Sequence, residues 1–346
     1  MSAEVAGTAS APHDPAQSEV AVQGSVEPDT NPDDDFDDGY GGSDTASSTA
    51  SLRSSIMKYQ YENGRRYHSY QEGQYVIPND EREQDRMDVG YHIFKMMLGG
   101  DLHEAPIPET TSRILDLGTG TGAWAIEMAD RMPQTTVIGV DLSPIQPTLV
   151  PPNCHFEIFD FETEWNFSQP FDFIHARNTE GSTRDHRRLF AQSLAHLKPG
   201  GYIEAAEATV GVWCDDDTVT LAPNLIEWQN HLLEASGKFG KPMGVAGNYK
   251  TWLEEAGFVD VKENVYKLPF SPWPKSVPLK QLGRYQQHLM LEALDAYSLA
   301  LFTRVLGWEP ERVHVLLAGV RKELENKDRA IHCYGRVYFV NGRKPS

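Results

Sequence analysis

Ile114-Leu115-Asp116-Leu117-Gly118-Thr119-Gly120-Thr121-Gly122-Ala123-Trp124 is the stretch that decides the fold. The apolar run Arg113–Leu117 reads as a buried strand that passes straight into three glycines at alternate positions, then into a helical pattern over Ala123–Arg131. Glycines permit a tight turn and let a ligand approach the backbone, and the N–H groups opening a helix favour negative charge. The spacing Gly118-x-Gly120-x-x-Ala123 satisfies the dinucleotide fingerprint, so a nicotinamide cofactor has to be weighed.

Asp116 speaks against it. The residue stands two positions before the first glycine, where a nicotinamide enzyme usually has an apolar side chain. An acid there suits a ligand with a positive end, such as the ammonium of an amino acid. S-adenosylmethionine joins an amino acid, a sulfonium and an adenosine. The plainer reading is that Asp116 caps the glycine turn. The next strand, Thr136–Val140, leads to Asp141-Leu142, just where an acid accepts hydrogen bonds from two ribose hydroxyls. A third strand, His155–Phe159, leads to Asp160-Phe161, an acid for an adenine amino group and a ring that either stacks on the base or belongs to the core.

Outward from this region, strands continue to alternate with helices. Phe171–His175 is a fourth strand, 185–197 a helix and Tyr202–Glu207 a fifth strand, a rhythm that implies a parallel sheet with right-handed crossovers. A helix over 249–256, a strand over 259–266 and a strand over 331–339 follow, with helical insertions near 219–237 and 280–327. Upstream, 81–98 reads as a helix behind the Asn79-Asp80 cap, and 58–112 as a helical and aromatic lid segment preceding a domain over 113–346.

The net charge of −19 is uneven, with −10 of it in residues 1–57, a polar segment that reads as a disordered acidic tail. A body this acidic is a poor match for a phosphate backbone, so direct nucleic-acid binding is disfavoured. No apolar run is long enough to span a bilayer. Cys154, Cys214 and Cys333 suggest neither a disulfide framework nor a zinc site, which fits a reducing compartment. No His/Asp/Glu cluster has metal-ligand spacing, so no metal is expected.

Residues 113–207 resemble the cofactor half of the class I S-adenosylmethionine-dependent methyltransferases, with Asp116-x-Gly118-x-Gly120-x-Gly122 as first motif and Leu197-Lys198-Pro199-Gly200-Gly201 as the turn before the fifth strand. The resemblance implies an α/β, Rossmann-like sheet of seven strands with the last antiparallel and the insertions as a helical cap. It also implies cofactor contacts at Asp116, Gly118, Gly120, Gly122, Asp141, Leu142, Asp160 and Phe161. Over roughly residues 58–343 the chain is similar to the fungal LaeA-like methyltransferases. Asn63-Gly64-Arg65-Arg66-Tyr67-His68, Pro78-Asn79-Asp80-Glu81, Asp141-Leu142-Ser143-Pro144, Cys214-Asp215-Asp216 and Arg304-Val305-Leu306-Gly307-Trp308 carry that likeness. It implies a nuclear or cytoplasmic regulator of secondary metabolism or development that works with velvet-type proteins. The loop reads Gly118-Thr119-Gly120 where regulators often carry Gly-Cys-Gly, which leaves room for a tailoring enzyme acting on a small metabolite, or for a cofactor-binding interaction module with little turnover.

Methyl transfer asks the protein to align donor and acceptor and, for an oxygen or nitrogen acceptor, to remove a proton. His175 and Arg177, at the carboxyl end of the fourth strand, are in the right region for such chemistry. His175 equally suits a hydrogen-bonded strand-end histidine. The aromatic segment Tyr59–Tyr75 either folds over the cofactor or packs as a helical edge on the sheet.

Overall fold

The structure is a computed structural model that describes residues 25–29, 60–62, 64–67, 76–326 and 328–346. A short hairpin, β1 (Gln60–Glu62) and β2 (Arg65–Tyr67), precedes the helix α1 (Glu81–Met97). The main sheet is built from β3 (Arg113–Leu117), β4 (Thr136–Asp141), β5 (Cys154–Ile158), β6 (Phe171–Arg177), β7 (Leu197–Trp213), β8 (Val259–Pro269) and β9 (Tyr334–Arg343). Its order is β5-β4-β3-β6-β7-β9-β8, and β9 alone runs antiparallel, paired to both β7 and β8. The crossovers are α2 (Ala123–Arg131), α3 (His186–His196) and α5 (Tyr249–Ala256). The remaining helices are α4 (Pro223–Phe239), α6 (Val277–Arg304) and α7 (Pro310–Leu324).

The strands form where near-continuous Ile, Leu, Val and Phe let both faces be covered, as a parallel sheet requires. Ile114, Leu115 and Leu117 of β3 and Phe171, Phe173 and Ile174 of β6 are fully buried. At about 1.5–3 kcal/mol per buried large side chain, these central strands carry much of the fold's stability. The topology reverses direction between β4 and β6, on either side of β3, so the glycine loop opens at the crevice where such sheets bind ligands.

The cap has its own core. Leu225, Trp228 and Leu232 of α4 pack with Leu294 and Phe302 of α6 and with Val313 and Leu317 of α7. Glu323 of α7 accepts from the N–H groups of Asn224 (3.0 Å) and Leu225 (2.8 Å), placing an acid at the N-terminus of α4. The expected long insertion over 280–327 is therefore two helices, α6 and α7, broken at Gly307 (φ 68°) and restarted by Pro310. β7 also outruns the expectation, because its ladder with β9 continues beyond Glu207 through Thr209↔Arg336 to Trp213↔Tyr334. None of the helices among the described residues is long and apolar enough to cross a membrane.

Two phrases noted in the sequence meet in space. Arg65 of β2 binds Asp80 through two nitrogens (2.6 and 2.8 Å), and Asp80 in turn caps α1 by accepting from Glu83 N–H at 3.0 Å. The part of the expected aromatic lid that is described, 60–62 and 64–67, is this hairpin and neither a helical edge nor a cofactor cover, with Tyr67 buried in the cap core. Tyr59, His68, Tyr70 and Tyr75 lie outside the described residues.

The reading of 1–57 as a disordered tail needs correction at residues 25–29, and the rest of that stretch lies outside the described residues. Asp29 N–H donates to Trp273 O (2.7 Å), Lys275 N–H donates to Glu27 O (2.8 Å), and Val26 N–H donates to the Asp215 carboxylate (3.2 Å). The Asp29 carboxylate pairs with Lys280. At about 1 kcal/mol per net hydrogen bond, this docking is worth a few kcal/mol at most. A chain starting at residue 25 should melt like the full chain, and one starting at 58 should melt a few degrees lower. Identical thermal melts for all three would show that the docked segment contributes nothing.

Glu204 of β7 supplies a pH test of the core. Its Oε2 accepts from Glu104 N–H (2.8 Å) and Ala105 N–H (2.6 Å), while the buried Oε1 has no partner. Burial pushes this carboxyl up to about 8. The folded chain thus holds a proton that the unfolded chain releases near its ordinary value of 4.5. Stability should fall as pH rises between those values, by up to about 1.4 kcal/mol per unit. Melting temperature followed from pH 5 to pH 9 (about that span) should decline less steeply in Glu204→Gln than in the parent. Parallel curves would contradict the assignment.

Candidate active site

The loop after β3 is held open by its glycines. Gly118, Gly120 and Gly122 all have positive φ (68°, 57° and 83°), a region costly for residues with a Cβ. Gly120 N–H donates to Asp141 Oδ2 at 2.9 Å, and Ser143 N–H donates to Asp141 Oδ1 at 2.9 Å. The carboxylate at the end of β4 thereby fixes both its own turn and the middle of the glycine loop. Burial raises Asp141 to about 6, against the pull of these N–H donors.

A cavity of about 250 Å³ runs along these groups. Gly118, Gly120, Asp141, Leu142, Asp160 and Phe161 all line it, as six of the eight expected cofactor contacts. Asp160 Oδ1 accepts from Glu162 N–H (2.9 Å), and the Phe161 ring lies 3.6 Å from the point where a Cβ on Gly118 would sit. Gly122 is not in the wall. It opens α2, and a Cβ there would come 2.4 Å from the Phe156 ring.

Asp116 does not reach the cavity either. It is 3% exposed, accepting from Thr119 Oγ at 2.6 Å and facing His175 Nδ1 at 2.7 Å. Both oxygens are committed to protein groups, as the plainer reading of Asp116 has it. His175 is 1% exposed and stacks on Trp124 with centroids 3.8 Å apart, and burial lowers its pKa, so it stays neutral and donates to Asp116. This geometry corrects the reading of His175 as a base: the ring props Asp116, which props the loop.

Arg177 does line the cavity, between the rings of Tyr91 (5.2 Å) and Phe94 (5.3 Å) of α1. A guanidinium holds its proton, so Arg177 offers charge and no base. Met87 and Gly90 of α1 complete the roof, a role that the amphipathic pattern of the helix did not announce.

The same cavity reaches a chamber under the cap, walled by Val212, Trp228, Leu232, Met243 and Phe270. Two buried acids interrupt the apolar wall. Glu207 Oε2 accepts from the N–H groups of Thr179 (2.7 Å) and Glu180 (3.1 Å) and from Tyr249 Oη (3.3 Å). Glu180 accepts from Thr209 Oγ (2.8 Å) and from the N–H groups of Gly244 (2.8 Å), Val245 (2.6 Å) and Ala246 (2.6 Å). Tyr249 Oη lies 2.9 Å from Nε2 of His186, which burial pushes down to about 4. Sequence reasoning missed this pair. Its one signal is that Glu180 follows the end of β6 and Glu207 closes the stretch Tyr202–Glu207 that reads as the fifth strand, a region where parallel sheets collect ligand-facing groups.

The donor set fits S-adenosylmethionine: Asp141 and Asp160 offer carboxylate acceptors of the kind hydroxyls and an amine require, Leu142 and Phe161 offer apolar surface, and Arg177 offers a positive charge that suits a carboxylate. Among the described residues no three His, Cys, Asp or Glu side chains are grouped to hold a metal ion. A seven-stranded sheet with its last strand reversed, bearing a glycine loop over such a cavity, is the class I methyltransferase architecture.

Comparison with known proteins agrees. A methyltransferase-domain family model matches residues 97–263. The chain is 40% identical over 295 residues to methyltransferase pytC of Aspergillus terreus, covering 85% of this chain and 90% of that protein. It is 38% identical to the secondary metabolism regulator LAE1 of Cochliobolus heterostrophus, over 82% of this chain and 94% of the relative. The protein-methionine methyltransferase laeA of Emericella nidulans is 37% identical over 82% of this chain and 76% of its own. Among solved structures, coclaurine N-methyltransferase bound to N-methylheliamine and S-adenosylhomocysteine aligns with a TM-score of 0.44 at 15% identity, covering 72% of each chain. The chain belongs to the LaeA-like family of fungal methyltransferases that use S-adenosylmethionine.

Proposed function

We propose that this methyltransferase acts in fungal secondary metabolism and places its methyl group on a small, largely apolar acceptor held under the helical cap. The glycine loop at Gly118 and Gly120 receives the methionine end of the cofactor, with Asp116 and Gly122 shaping the loop from behind. Asp141 takes the ribose, and Asp160 with Phe161 takes the adenine, with Leu142 beside it. The observation that carries the reading is one continuous cavity, with cofactor-type polar groups at the β3–β5 end and an apolar chamber at the other. Bound cofactor supplies an activated methyl carbon, and the chamber supplies alignment and exclusion of water.

A second reading gives the chain a regulatory role through velvet-type or other protein partners, in the nucleus or the cytoplasm. The names of the LAE1 and laeA relatives favour it. The acidic balance favours protein partners over DNA in either compartment. Purified full chain with methyl-labelled cofactor, offered a fungal metabolite extract and separately a nuclear protein extract, separates the readings. Rapid labelling of one small metabolite is expected. Label found only on protein, or a stable velvet-type complex recovered with no metabolite labelled, would overturn the small-acceptor reading.

A further inference from the structure

We propose that Glu207 takes the acceptor's proton, and that the acceptor is an uncharged, mostly apolar molecule with an ionisable hydroxyl, of the phenol or enol class. The inference rests on the methyl-transfer reading of the cavity. Glu207 lines the cavity, and its two oxygens are treated differently by the protein. Oε2 is taken up by Thr179 N–H, Glu180 N–H and Tyr249 Oη, whereas Oε1 receives no hydrogen bond from any described residue. One oxygen clamped and one presented to the cavity is the geometry of a positioned base.

Glu180 explains how the proton is kept there. Burial raises the proton affinity of Glu180 too, but both its oxygens accept from N–H and O–H donors of Thr209, Gly244, Val245 and Ala246, which pull the other way and make it the better-solvated member of the pair. Burial, with the neighbouring Glu180 adding to it, raises the proton affinity of Glu207 well above that of an ordinary carboxyl. Other charged groups share the cavity wall with it, among them Arg86 of α1, Glu162, and Lys241 beyond α4. Tyr249 stands on α5 with the neutral His186 of α3 behind it, and Tyr297 stands on α6 with Arg86 of α1 over its ring at 5.1 Å. Arg177 at the end of β6 lines the same cavity.

The acceptor class follows from charge. The wall already holds charges of both signs at Arg177 and Glu180 and is otherwise largely apolar, so a further charged group buried there would meet a desolvation cost that a neutral one avoids. A hydroxyl arrives neutral. Its oxygen forms the new O–C bond while the methyl–sulfur bond breaks with its electron pair left on sulfur, and the hydroxyl proton passes to Oε1 of Glu207. A thioether has no proton to lose and would leave Glu207 without a role.

Two measurements on the full chain test this. Infrared difference spectra of parent minus Glu207→Gln, both loaded with S-adenosylhomocysteine, should show the carbonyl stretch of a protonated carboxylic acid at pH values where an ordinary carboxyl is ionised. Absence of that band at every pH would overturn the proposal. Transfer from labelled S-adenosylmethionine is then followed on flat apolar phenols such as the naphthols, on aliphatic amines and on a methionine peptide. The parent should label the phenols faster as pH rises, and Glu207→Gln should lose about 100-fold or more of that rate. Glu207→Asp should recover part of it, and affinity for S-adenosylhomocysteine should be unchanged in both variants. Activity that survives in Glu207→Gln, or label on the amine or peptide alone, would overturn it. No label on any compound would overturn the acceptor class, and the infrared band would still decide whether Glu207 holds the proton.

Discussion

Replacing Asp141 by alanine should weaken binding of S-adenosylhomocysteine by about two orders of magnitude or more. The substitution strips the proposed ribose acceptor and also orphans the N–H groups of Gly120 and Ser143, so the loop loses its brace together with its ligand contact. Charge-assisted hydrogen bonds are worth about 1.5–3 kcal/mol each, so two of them put the expected loss at about two orders of magnitude or more in Kd. Burial raises this carboxyl to about 6, and only its ionised form accepts from both ribose hydroxyls. Binding by the parent chain should therefore weaken as pH falls through that value. Titration calorimetry across pH checks both statements, and an alanine variant that binds within a few-fold of the parent would refute the assignment.

Gly283→Ala should destabilise the fold even though alanine is the better helix former by about 1 kcal/mol. Gly283 lies inside α6, where a Cβ would come 2.3 Å from the carbonyl oxygen of Ser271 and 2.7 Å from its carbon. Those are backbone atoms of the segment that follows β8, so no flexible side-chain end can swing aside. Either α6 lifts from that segment or the segment moves. Overpacking of this kind costs about 1–3 kcal/mol and more where backbone must shift. Because Gln286, Leu289 and Met290 on the same helix line the cavity, the chamber should be disturbed as well. A thermal melt that rises, as helix propensity alone would have it, would show that the helix does not rest on that backbone.

The central half of the fold was legible because its signals are local. β3 with its glycine loop, and the acids that close β4 and follow β5, are each read within a dozen residues, and the sheet joins them at one crevice. What stayed hidden depends on partners far apart in the chain. Asp116 looked free to meet a ligand, and only the alignment of β3 with β6 shows His175 opposite it, closing its second oxygen. Glu180 and Glu207 are separated by 27 positions and meet because β6 and β7 are neighbours. The end of β7 was missed because Ala208-Thr209-Val210-Gly211 carries no clear apolar alternation, and its ladder partner β9 comes more than a hundred residues later. The docking of residues 25–29 was invisible for a related reason: extended backbone bonds to the backbone of residues 273–275 without leaving a pattern in side-chain type.

The central claim is that one cavity, floored by the glycine loop and walled by Asp141 and Asp160, is built for S-adenosylmethionine. Titration calorimetry of the full chain with S-adenosylhomocysteine and, in parallel, with NAD tests it most directly. The structure predicts one tight site for S-adenosylhomocysteine and none for NAD, because the cavity wall beyond the glycine loop includes Val212, Trp228, Leu232, Met243 and Phe270, apolar side chains that offer nothing to a charged diphosphate. Tight binding of NAD, or no heat with S-adenosylhomocysteine, would contradict it.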